Sequence, residues 1–459
     1  MQCVIDPVLR EMTAIFADKR RQLCLVGGAV RDMLRGNRAR DWDLATDALP
    51  TEVIAMFSGG GKGSFVIPTG IKHGTVTVHY RGRAFEVTTF RSESGYSDKR
   101  RPDSVVFGTS IEADLSRRDF TMNAAAYRLP AGPLIDPFGG AQDVRARLIR
   151  CVGRPEERFA EDGLRPMRAL RFASQLGFTL DAAVLAAIPG AIPCTTRVAP
   201  ERLRDEIEKI IASPDPAIGL RLMEQTGLLR LLLPELAACR GVEQKGFHRF
   251  DVLDHSLLAC GFAARKGYSQ EVRTAALLHD IGKPLCARKD SGGIWTFYNH
   301  EKESERLARN ILLRFRWPNA FIETVCHLVS EHMFHYDDSW TAAAVRRFII
   351  RVGEESLRPL WHLRRADAYG MTGQPPPADF LLPLQERVEK ALAAKNALSL
   401  KDLALNGRDL LALGVPAGKR VGVILRELLA AVVEDPSLNT RDGLLDLAGR
   451  MRGDYRPPS

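Results

Sequence analysis

Residues 25–43 constrain this chain more than any other part of its sequence. They read LVGGAVRDMLRGNRARDWD, which is a short apolar strand, a Gly-Gly turn, an Arg-Asp helix start and an Asp-x-Asp pair. The glycines let the backbone approach phosphates, Arg31 neutralises them, and Asp41 with Asp43 can hold a divalent metal. This order therefore predicts a site that handles a nucleotide.

The rest of the first 140 residues alternates short strands with helices, and the later part is helical in pattern. We predict a helix over 10–22, strands over 23–26 and 41–45, a helix over 30–34 that Gly36 ends, and a hairpin of strands 74–80 and 84–90. Period-two alternation would put Asp41 and Asp43 on one strand face. Residues 93–105 are polar and basic and predict a mobile loop, while 373–379 predict a linker.

Composition limits the class of protein. At 459 residues, a length suited to about three domains, the chain is 45% hydrophobic and 26% charged, as globular proteins are. A net charge of +9 suggests an anionic partner. The eight cysteines form no CxxC, which favours reduced thiols in a cytoplasmic protein. We expect neither a signal peptide nor a membrane span.

An Asp-x-Asp pair on a strand presents two carboxylates side by side. Two Mg²⁺ ions held there would activate an attacking hydroxyl and stabilise a leaving pyrophosphate. Glu86, on the neighbouring predicted strand, is either a third carboxylate or a cross-strand partner of Arg91 or Arg31.

Two further segments carry groups that suit nucleotide binding. In 117–123 (RRDFTMN) an arginine can grip a triphosphate or ribose, Asn123 can bond a sugar hydroxyl, and Asp119 is also a candidate helix N-cap. In 158–172 (RFAEDGLRPMRALRF) the arginines at 165, 168 and 171 form one basic stripe on a half-buried helix. Carboxylates at 161 and 162 can pair with Arg165, and together such groups can read the edge of a base.

These motifs closely resemble the class II tRNA nucleotidyltransferase family, the CCA-adding enzymes and their bacterial poly(A) polymerase relatives. The similar stretches include LVGGAVRD, DWDLATDA, PTGIKHGTVTV, YSDKRRPDSVVF, DLSRRDFTMNAAAY and RFAEDGLRPMRALRFASQLGF, and they cover roughly the first 210 residues. Gly163 and Pro166 depart from the residues commonest in the family. Proline is tolerated in the first turn of a helix because its missing N–H has no partner there.

The resemblance implies a fold, an activity and a set of site residues. It implies an α+β protein with a polymerase-β-like head and a helical neck, which adds C, C and A to tRNA 3′ ends without a nucleic-acid template. Asp41 and Asp43 would be catalytic and bind Mg²⁺. The contacts to CTP or ATP would come from Gly28, Arg31, Arg118, Asp162, Arg165, Arg168 and Arg171, and a basic surface would bind the tRNA acceptor arm.

The second half resembles the HD metal-dependent phosphohydrolase superfamily in FDVLDHSLL and AALLHDIGKP. That likeness implies a metal site of His255, His279, Asp280 and Asp367, with His300 and His332 as candidate ligands of a second metal. The donor set suits Ni²⁺, Mn²⁺, Fe²⁺ or Mg²⁺. His248, His327, His335 and His362 are interpreted as structural.

The sequence thus predicts a head over 1–145, a neck over 146–235, an HD domain over 236–372 and a helical tail over 380–459. We expect CCA addition with an HD phosphatase or 2′,3′-cyclic phosphodiesterase activity. Two alternatives stay open: a poly(A) polymerase or partial A- or CC-adding enzyme, and an HD hydrolase with an inactive head. The intact residues 93–103 favour a product that ends in A.

Overall fold

The computed structural model describes residues 6–37, 42–58, 63–94, 104–108, 110–244, 248–394 and 397–453. The chain divides into two compact units. The first unit comprises Met1–Ala238 with Ile311–Trp317, and the second comprises Cys239–Asn310 with Pro318–Ser459. The four predicted domains are a finer division than these two units and stay a prediction.

The first unit is built on a seven-stranded mixed sheet. Its strands are β1 (Leu23–Val26), β2 (Asp43–Thr46), β3 (Phe65–Gly70), β4 (Thr75–Tyr80), β5 (Arg83–Thr89), β8 (Ala126–Arg128) and β9 (Leu134–Ile135), in the order β3-β4-β5-β2-β1-β8-β9. Strands β2 and β5 are parallel, and the other neighbours are antiparallel. Among the described residues of this unit, β6 (Arg91–Ser94) also pairs with β7 (Ser104–Phe107), and β10 (Leu148–Ile149) pairs with β11 (Thr179–Leu180). An isolated bridge joins Phe120 to Cys151.

Helices cover this sheet and then continue alone to the end of the unit. They are α1 (Pro7–Asp18), α2 (Gly28–Leu34), α3 (Pro50–Phe57), α4 (Ile111–Ser116), α5 (Gly140–Ala146), α6 (Pro155–Glu161), α7 (Arg165–Leu176), α8 (Ala182–Thr195), α9 (Pro200–Ile211), α10 (Pro216–Gln225), α11 (Leu228–Leu232) and α12 (Pro234–Ala237). Short 3-10 helices occupy Ile71–His73 and Thr121–Asn123.

The sheet core explains why β1 is uniformly apolar. All four of its side chains are buried, and Phe16 and Phe57 from α1 and α3 pack into the same core as Leu23 and Leu25. Buried strands flanked on both faces lose the apolar-polar alternation. This packing fixes the end of β1, where the glycine turn begins.

Sequence-based predictions of elements hold with shifts at their ends. The first helix runs over Pro7–Asp18 and not 10–22, because Asp6 caps it by accepting from the Val8 N–H at 3.0 Å. The predicted hairpin is confirmed as β4 and β5. The prediction of a loop over 93–105 is wrong at its ends, where β6 pairs with β7 and Glu93 bonds to Arg91 and Arg117. Residues 95–103, like Asp41, lie outside the described residues.

The second unit is almost entirely helical. Its elements are α13 (Val252–Arg265), α14 (Gln270–Leu278), α15 (Lys283–Cys286), β12 (Arg288–Lys289), β13 (Trp295–Thr296), α16 (His300–Arg314, whose last turn belongs to the first unit), α17 (Asn319–Glu331), α18 (Ala342–Val352), α19 (Glu354–Thr372), α20 (Leu382–Ala393), α21 (Gly407–Ala412), α22 (Lys419–Glu434) and α23 (Arg441–Gly453), with 3-10 helices at Leu400–Asp402 and Pro436–Leu438. Helix α19 ends at Thr372, and the predicted linker begins at Gly373, whose φ is 73°.

Two glycines bring the helices of this unit unusually close. A Cβ on Gly370 of α19 would lie 2.8 Å from the carbonyl oxygen of His255 on α13. One on Gly282 would lie 2.6 Å from the carbonyl oxygen of His300 at the start of α16. Both distances are shorter than carbon and oxygen allow, so only glycine permits these approaches. The result is that residues of α13, α14, α16 and α19 meet at one place.

Candidate functional site

The first unit contains a polar cavity of about 490 Å³. It lies where the turn after β1, the start of β2, the Thr121–Asn123 turn and helices α7 and α9 come together. Its lining consists of Gly27, Gly28, Arg31, Asp43, Arg117, Arg118, Asp119, Asn123, Asp162, Leu164, Arg165, Arg168, Phe172 and Arg202. Six of the seven predicted nucleotide-binding residues are among them, together with Asp43.

The glycine turn sets the distance between the metal-binding and phosphate-binding sides of this cavity. Gly27 has a φ of 67°, a conformation that glycine adopts at no steric cost. A Cβ here would lie 3.0 Å from Arg118 Nη1 and 3.2 Å from Asp43 Oδ2. Gly27 therefore lets a guanidinium and a carboxylate flank the turn closely.

Asp43 is the first residue of β2 and is exposed to the cavity. Glu86 is its register partner on β5 and is also exposed. Among the described residues no cation pairs with Glu86, since Arg91 bonds to Glu93 and Arg31 to Asp32. A cross-strand ion pair of Glu86 is thus not what the structure shows.

The cavity arginines are held by side chains of the protein. Arg31 Nη1 donates to Asn123 Oδ1 at 3.0 Å, and Arg118 Nη2 lies 3.3 Å from the buried Asp114. Arg168 Nε donates to Asp119 Oδ2 at 2.7 Å. Such partners fix each guanidinium before a ligand arrives.

Asp119 does not cap a helix, contrary to the sequence-based alternative; its role is to pair with Arg168. Burial alone would raise the pKa of Asp119, but the charges of Arg168 and Arg165 hold that pKa below its ordinary value. Asp119 is therefore a carboxylate at neutral pH and keeps Arg168 directed along the cavity wall.

The side chains of Asp162 and Arg165 do not pair with each other; each is held by other residues. Asp162 Oδ2 accepts from Arg202 Nη2 at 2.9 Å, and its Oδ1 accepts from the backbone N–H of Leu164 at 3.0 Å. Arg165 pairs with Glu161 and donates to the carbonyl of Arg158. The predicted pairing of Arg165 is thus found with Glu161.

Arg171 is placed apart from the other six predicted residues. It does not line the cavity; its Nε donates to Glu206 at 2.5 Å and its guanidinium lies 3.9 Å from the centre of the Phe172 ring. A stripe of period three turns around the helix, so its third member reaches the buried side. Arg171 supports Phe172, which does line the cavity.

The two departures from the commonest family residues have structural reasons. A Cβ on Gly163 would lie 2.3 Å from the carbonyl oxygen of Cys194 in α8, so the chain passes there only with glycine. Pro166 lies in the first turn of α7, where its missing N–H costs no hydrogen bond.

The second unit contains a separate cavity of about 550 Å³ with aromatic and histidine walls. Its lining comprises Gln244, His248, Asp280, Lys283, Thr296, Phe297, Tyr298, Asn299, His300, Glu301, His332, Met333, Phe334, His335, Arg364, Asp367 and Met371. The four predicted HD ligands meet at its floor or directly beside it.

The predicted ligands form one compact group. His255 Nε2 lies 3.0 Å from His279 Nε2, 3.2 Å from Asp280 Oδ2 and 3.3 Å from Asp367 Oδ1. His279 directly follows α14, and Asp367 is on α19 one turn before Gly370. The close approach at Gly370 thus brings His255 to Asp367.

Asp280 faces two histidine groups with its two oxygens. Its Oδ1 lies 3.1 Å from His300 Nε2 and 3.7 Å from His332 Nε2, whereas its Oδ2 faces His255 and His279. The contact with His300 lacks hydrogen-bonding geometry, and buried Nε2 atoms of His300 and His332 have no hydrogen-bond partner. A carboxylate shared in this way suits two adjacent cations.

The charges in this group also fit a bound cation. Burial lowers the pKa of His279, but Asp280 and Asp367 outweigh it and raise that pKa to about 10. Burial likewise opposes ionisation of Asp280, yet His279 and Lys283 hold its pKa well below the usual range. Two ionised carboxylates among histidine nitrogens are a donor set for a divalent transition metal.

Several residues that line this cavity were not predicted as part of the site. His248 was interpreted as structural, but it lines the cavity 5.2 Å from the His255 ring, and burial lowers its pKa to about 4. Lys283 Nζ donates to Asp280 at 2.6 Å, and Arg364 pairs with Asp367. Lys283 belongs to the HDIGKP motif and was visible in sequence; His248 had no such signal. His335 also lines the cavity, whereas His327 and His362 pack elsewhere.

Family models match three parts of the chain. A model of the poly A polymerase head domain matches residues 23–150, and one of the probable RNA and SrmB- binding site of polymerase A matches 177–240. A putative tRNA nucleotidyltransferase domain 2 model matches 289–448.

Curated relatives extend the similarity to almost the whole chain. The CCA-adding enzyme of Geobacillus stearothermophilus is 36% identical over 91% of this chain and 90% of its own length. That of Lactobacillus johnsonii is 35% identical over 93% and 92%. The chain belongs to the CCA-adding enzyme family. It is therefore a tRNA nucleotidyltransferase by family, and the predicted resemblance is confirmed.

Solved structures of the family agree in fold. A Bacillus stearothermophilus CCA-adding enzyme in complex with CTP matches with a TM-score of 0.73 and 31% identity, covering 98% of this chain and 99% of that one. A Thermotoga maritima CCA-adding enzyme complexed with tRNA has a TM-score of 0.58 and 19% identity over 98% and 96%. The α+β class with a polymerase-β-like head is confirmed. No helix within the described ranges has the length and apolar character needed to cross a membrane.

Proposed function

We propose that this chain adds C, C and A to the 3′ end of tRNA, using CTP and ATP and no nucleic-acid template. The observation that carries the proposal is the convergence of Asp43, Arg118, Asp162 and Arg165 on one cavity, although they are far apart in sequence. Family membership and the CTP bound by a relative of 31% identity support the same assignment.

The residues divide the work within the cavity. Arg31 and Arg118 bind the triphosphate, since both are fixed guanidinium groups beside the glycine turn. Asp43, with Asp41, supplies hard oxygen ligands that suit Mg²⁺. Two Mg²⁺ ions bound to these carboxylates would supply Lewis-acid stabilisation of the pentavalent phosphate and the pyrophosphate leaving group.

Protein side chains replace a template in choosing the base. The Asp162 carboxylate accepts hydrogen bonds and the Arg165 and Arg168 guanidinium groups donate them, so together they can pair with the edge of C or A. Phe172 lies among Arg31, Arg168 and Arg171 at 5.6, 5.5 and 3.9 Å and gives the base an apolar wall. The basic excess of the chain suits the acceptor arm of tRNA.

The product tests this proposal. Purified protein is incubated with tRNA ending at the discriminator base and with CTP alone, ATP alone, or both. Growth by three nucleotides only with both supports CCA addition. A long A tail identifies a poly(A) polymerase, and growth limited to A or to CC identifies a partial enzyme. No growth at all would contradict the proposal.

We further propose that the second cavity is an HD phosphohydrolase site that acts on phosphate or 2′,3′-cyclic phosphate ends. Here His255, His279, Asp280 and Asp367 would hold one divalent metal, and Asp280, His300 and His332 a second. Bound Ni²⁺ or Mn²⁺ would supply an activated water at neutral pH. Lys283 and Arg364 at the same floor would bind the phosphate.

Release of phosphate from an RNA with a 2′,3′-cyclic end, with and without added Ni²⁺ or Mn²⁺, tests this second activity. Turnover without any nucleotide addition would favour the alternative of an HD hydrolase with an inactive head. Among the described residues no two cysteines form a disulfide, which is consistent with action in a reducing compartment such as the cytoplasm.

A further inference from the structure

We infer that Arg202 is a positioning residue for base selection: it holds the Asp162 carboxylate so that the cavity favours bases whose exocyclic amine stands where uracil and guanine have a carbonyl oxygen. The inference rests on the proposed nucleotide addition and assigns a role to a residue outside the predicted set. Arg202 acts through Asp162 and is not itself a base-reading group.

The contact geometry is that of a clamp. Arg202 lies on α9, and its Nη2 donates to Asp162 Oδ2 at 2.9 Å while its Nη1 lies 3.4 Å from Oδ1. The backbone N–H of Leu164 donates to the same Oδ1 at 3.0 Å. A guanidinium fork and one backbone donor together fix the plane of the carboxylate.

Arg202 has no competing duty among the described residues. Its hydrogen bonds to other described residues reach only Asp162, and both side chains line the cavity with 25% and 17% of their surface exposed. Arg165, the neighbour expected to pair with Asp162, is instead occupied by Glu161 and by the carbonyls of Arg158 and Arg117. Loss of Arg202 would therefore leave Asp162 with the Leu164 N–H alone.

Orientation matters because the discrimination is made by one kind of group. Cytosine carries an exocyclic amine at C4 and adenine one at C6, positions where uracil and guanine carry a carbonyl oxygen. A fixed carboxylate accepts a hydrogen bond from the amine and repels the carbonyl. A carboxylate that is free to rotate keeps its negative charge, but its oxygens are no longer held in one position. The discrimination against UTP and GTP therefore falls.

The test compares Arg202→Gln with Arg204→Gln. Arg204 is on the same helix, is 23% exposed, and pairs with Asp205 and the Arg316 carbonyl, away from the cavity. We expect Arg202→Gln to lower the ratio of kcat/KM for CTP to that for UTP by about tenfold, the usual weight of one charged hydrogen bond. Arg202→Lys, which keeps one charged donor, should recover part of the ratio, and Arg204→Gln should match the parent protein.

Either of two results would overturn the inference. One is an Arg202→Gln ratio equal to that of the parent; the other is an equal slowing with CTP, ATP, UTP and GTP, which is the sign of a merely structural role. If Arg202→Gln does not fold, Arg202→Lys decides by the same ratio. A parent protein that adds no nucleotide contradicts the proposed function itself, so the two failures are distinguishable.

Discussion

The two cavities are similar in size, about 490 and 550 Å³, but they are built for ligands of opposite charge. In the first unit, guanidinium groups such as Arg118 and Arg168 are partly exposed, at 19% and 34%, and direct N–H donors into open space. In the second unit, His255, His279 and Asp280 are at most 1% exposed, and their nitrogen and oxygen atoms face one another within 3.3 Å.

This difference shows which charges each site neutralises with side chains of the protein. The cavity arginines are matched by Asp114, Asp119 and Glu161, so the first site is ready for an anion without further help. The Nε2 atoms of His255 and His279 stand 3.0 to 3.5 Å from each other and from the nearest oxygens of Asp280 and Asp367, and the buried Nε2 atoms of His300 and His332 have no hydrogen-bond partner. We therefore propose that a cation completes the second site, and we expect the two sites to fail independently.

The sharpest challenge to that independence is Asp43→Asn. An amide keeps the shape of the side chain but removes the charge that binds Mg²⁺, so nucleotide addition should fall about 1,000-fold or more, equivalent to several kcal/mol of transition-state stabilisation. Phosphate release by the second unit should be unchanged. Asp47→Asn is the control, because Asp47 accepts from the Gln22 N–H outside the cavity. Loss of both activities in a folded protein would contradict two independent sites.

The reverse challenge is His279→Gln. Removing a central ligand should weaken Mn²⁺ or Ni²⁺ binding by about 100-fold or more, since even groups that only support a ligand cost up to about that much. We expect added metal to raise the Tm of the parent but not that of the variant, while nucleotide addition is unaffected. His327→Gln is the control, because His327 Nε2 bonds to the Val352 carbonyl away from the cavity. A parent protein that neither binds nor is stabilised by these metals would refute the metal site.

The residues of the two sites also differ in how well the sequence could predict them. His279 and Asp280 lie side by side in one continuous motif, so these two candidate ligands could be named before the fold was known. The glycine turn and Asp43 were predictable for the same reason. The roles of Arg202 and His248 were not, because each depends on a helix packing against a distant segment and leaves no periodic signal.

Element prediction failed where tertiary contacts decide. The polar sequence of 93–105 predicted a loop, yet Glu93 is 7% exposed and is held by Arg91 and Arg117, so β6 and β7 pair. The period of three in Arg165, Arg168 and Arg171 predicted one basic stripe able to read a base, but Arg171 pairs with Glu206 on α9 away from the cavity. A charged residue therefore does not predict an exposed position when a buried side chain of opposite charge on another element pairs with it.

A milder change tests how the first site is spaced. Gly27→Ala places a Cβ 3.0 Å from Arg118 and 3.2 Å from Asp43, so we expect kcat/KM for nucleotide addition to fall by roughly tenfold. Gly36→Ala is the matched control: its φ is 77°, similar to that of Gly27, but nothing lies within 4 Å of its Cβ. Both variants should lose stability from backbone strain. Equal loss of activity in the two would show that strain alone, and not the close approach, is responsible.

The smallest expected effect is on the stability of the fold at low pH, through the Asp119 carboxylate of the first site. The pKa of Asp119 is lowered in the folded protein, so its carboxylate stabilises the fold fully above the unfolded value near 4 and loses that contribution as pH falls through the folded value. Asp119→Asn, which has no charge to lose, should therefore lose less stability than the parent between pH 5 and pH 3, by about 1 kcal/mol. Hydrogen exchange at the Phe120 amide, which donates to Asp119 at 2.9 Å, reports this locally. Parallel acid profiles of the two proteins at that amide would show that Arg168 does not hold Asp119 ionised, and the view of the first site as internally balanced would fail with it.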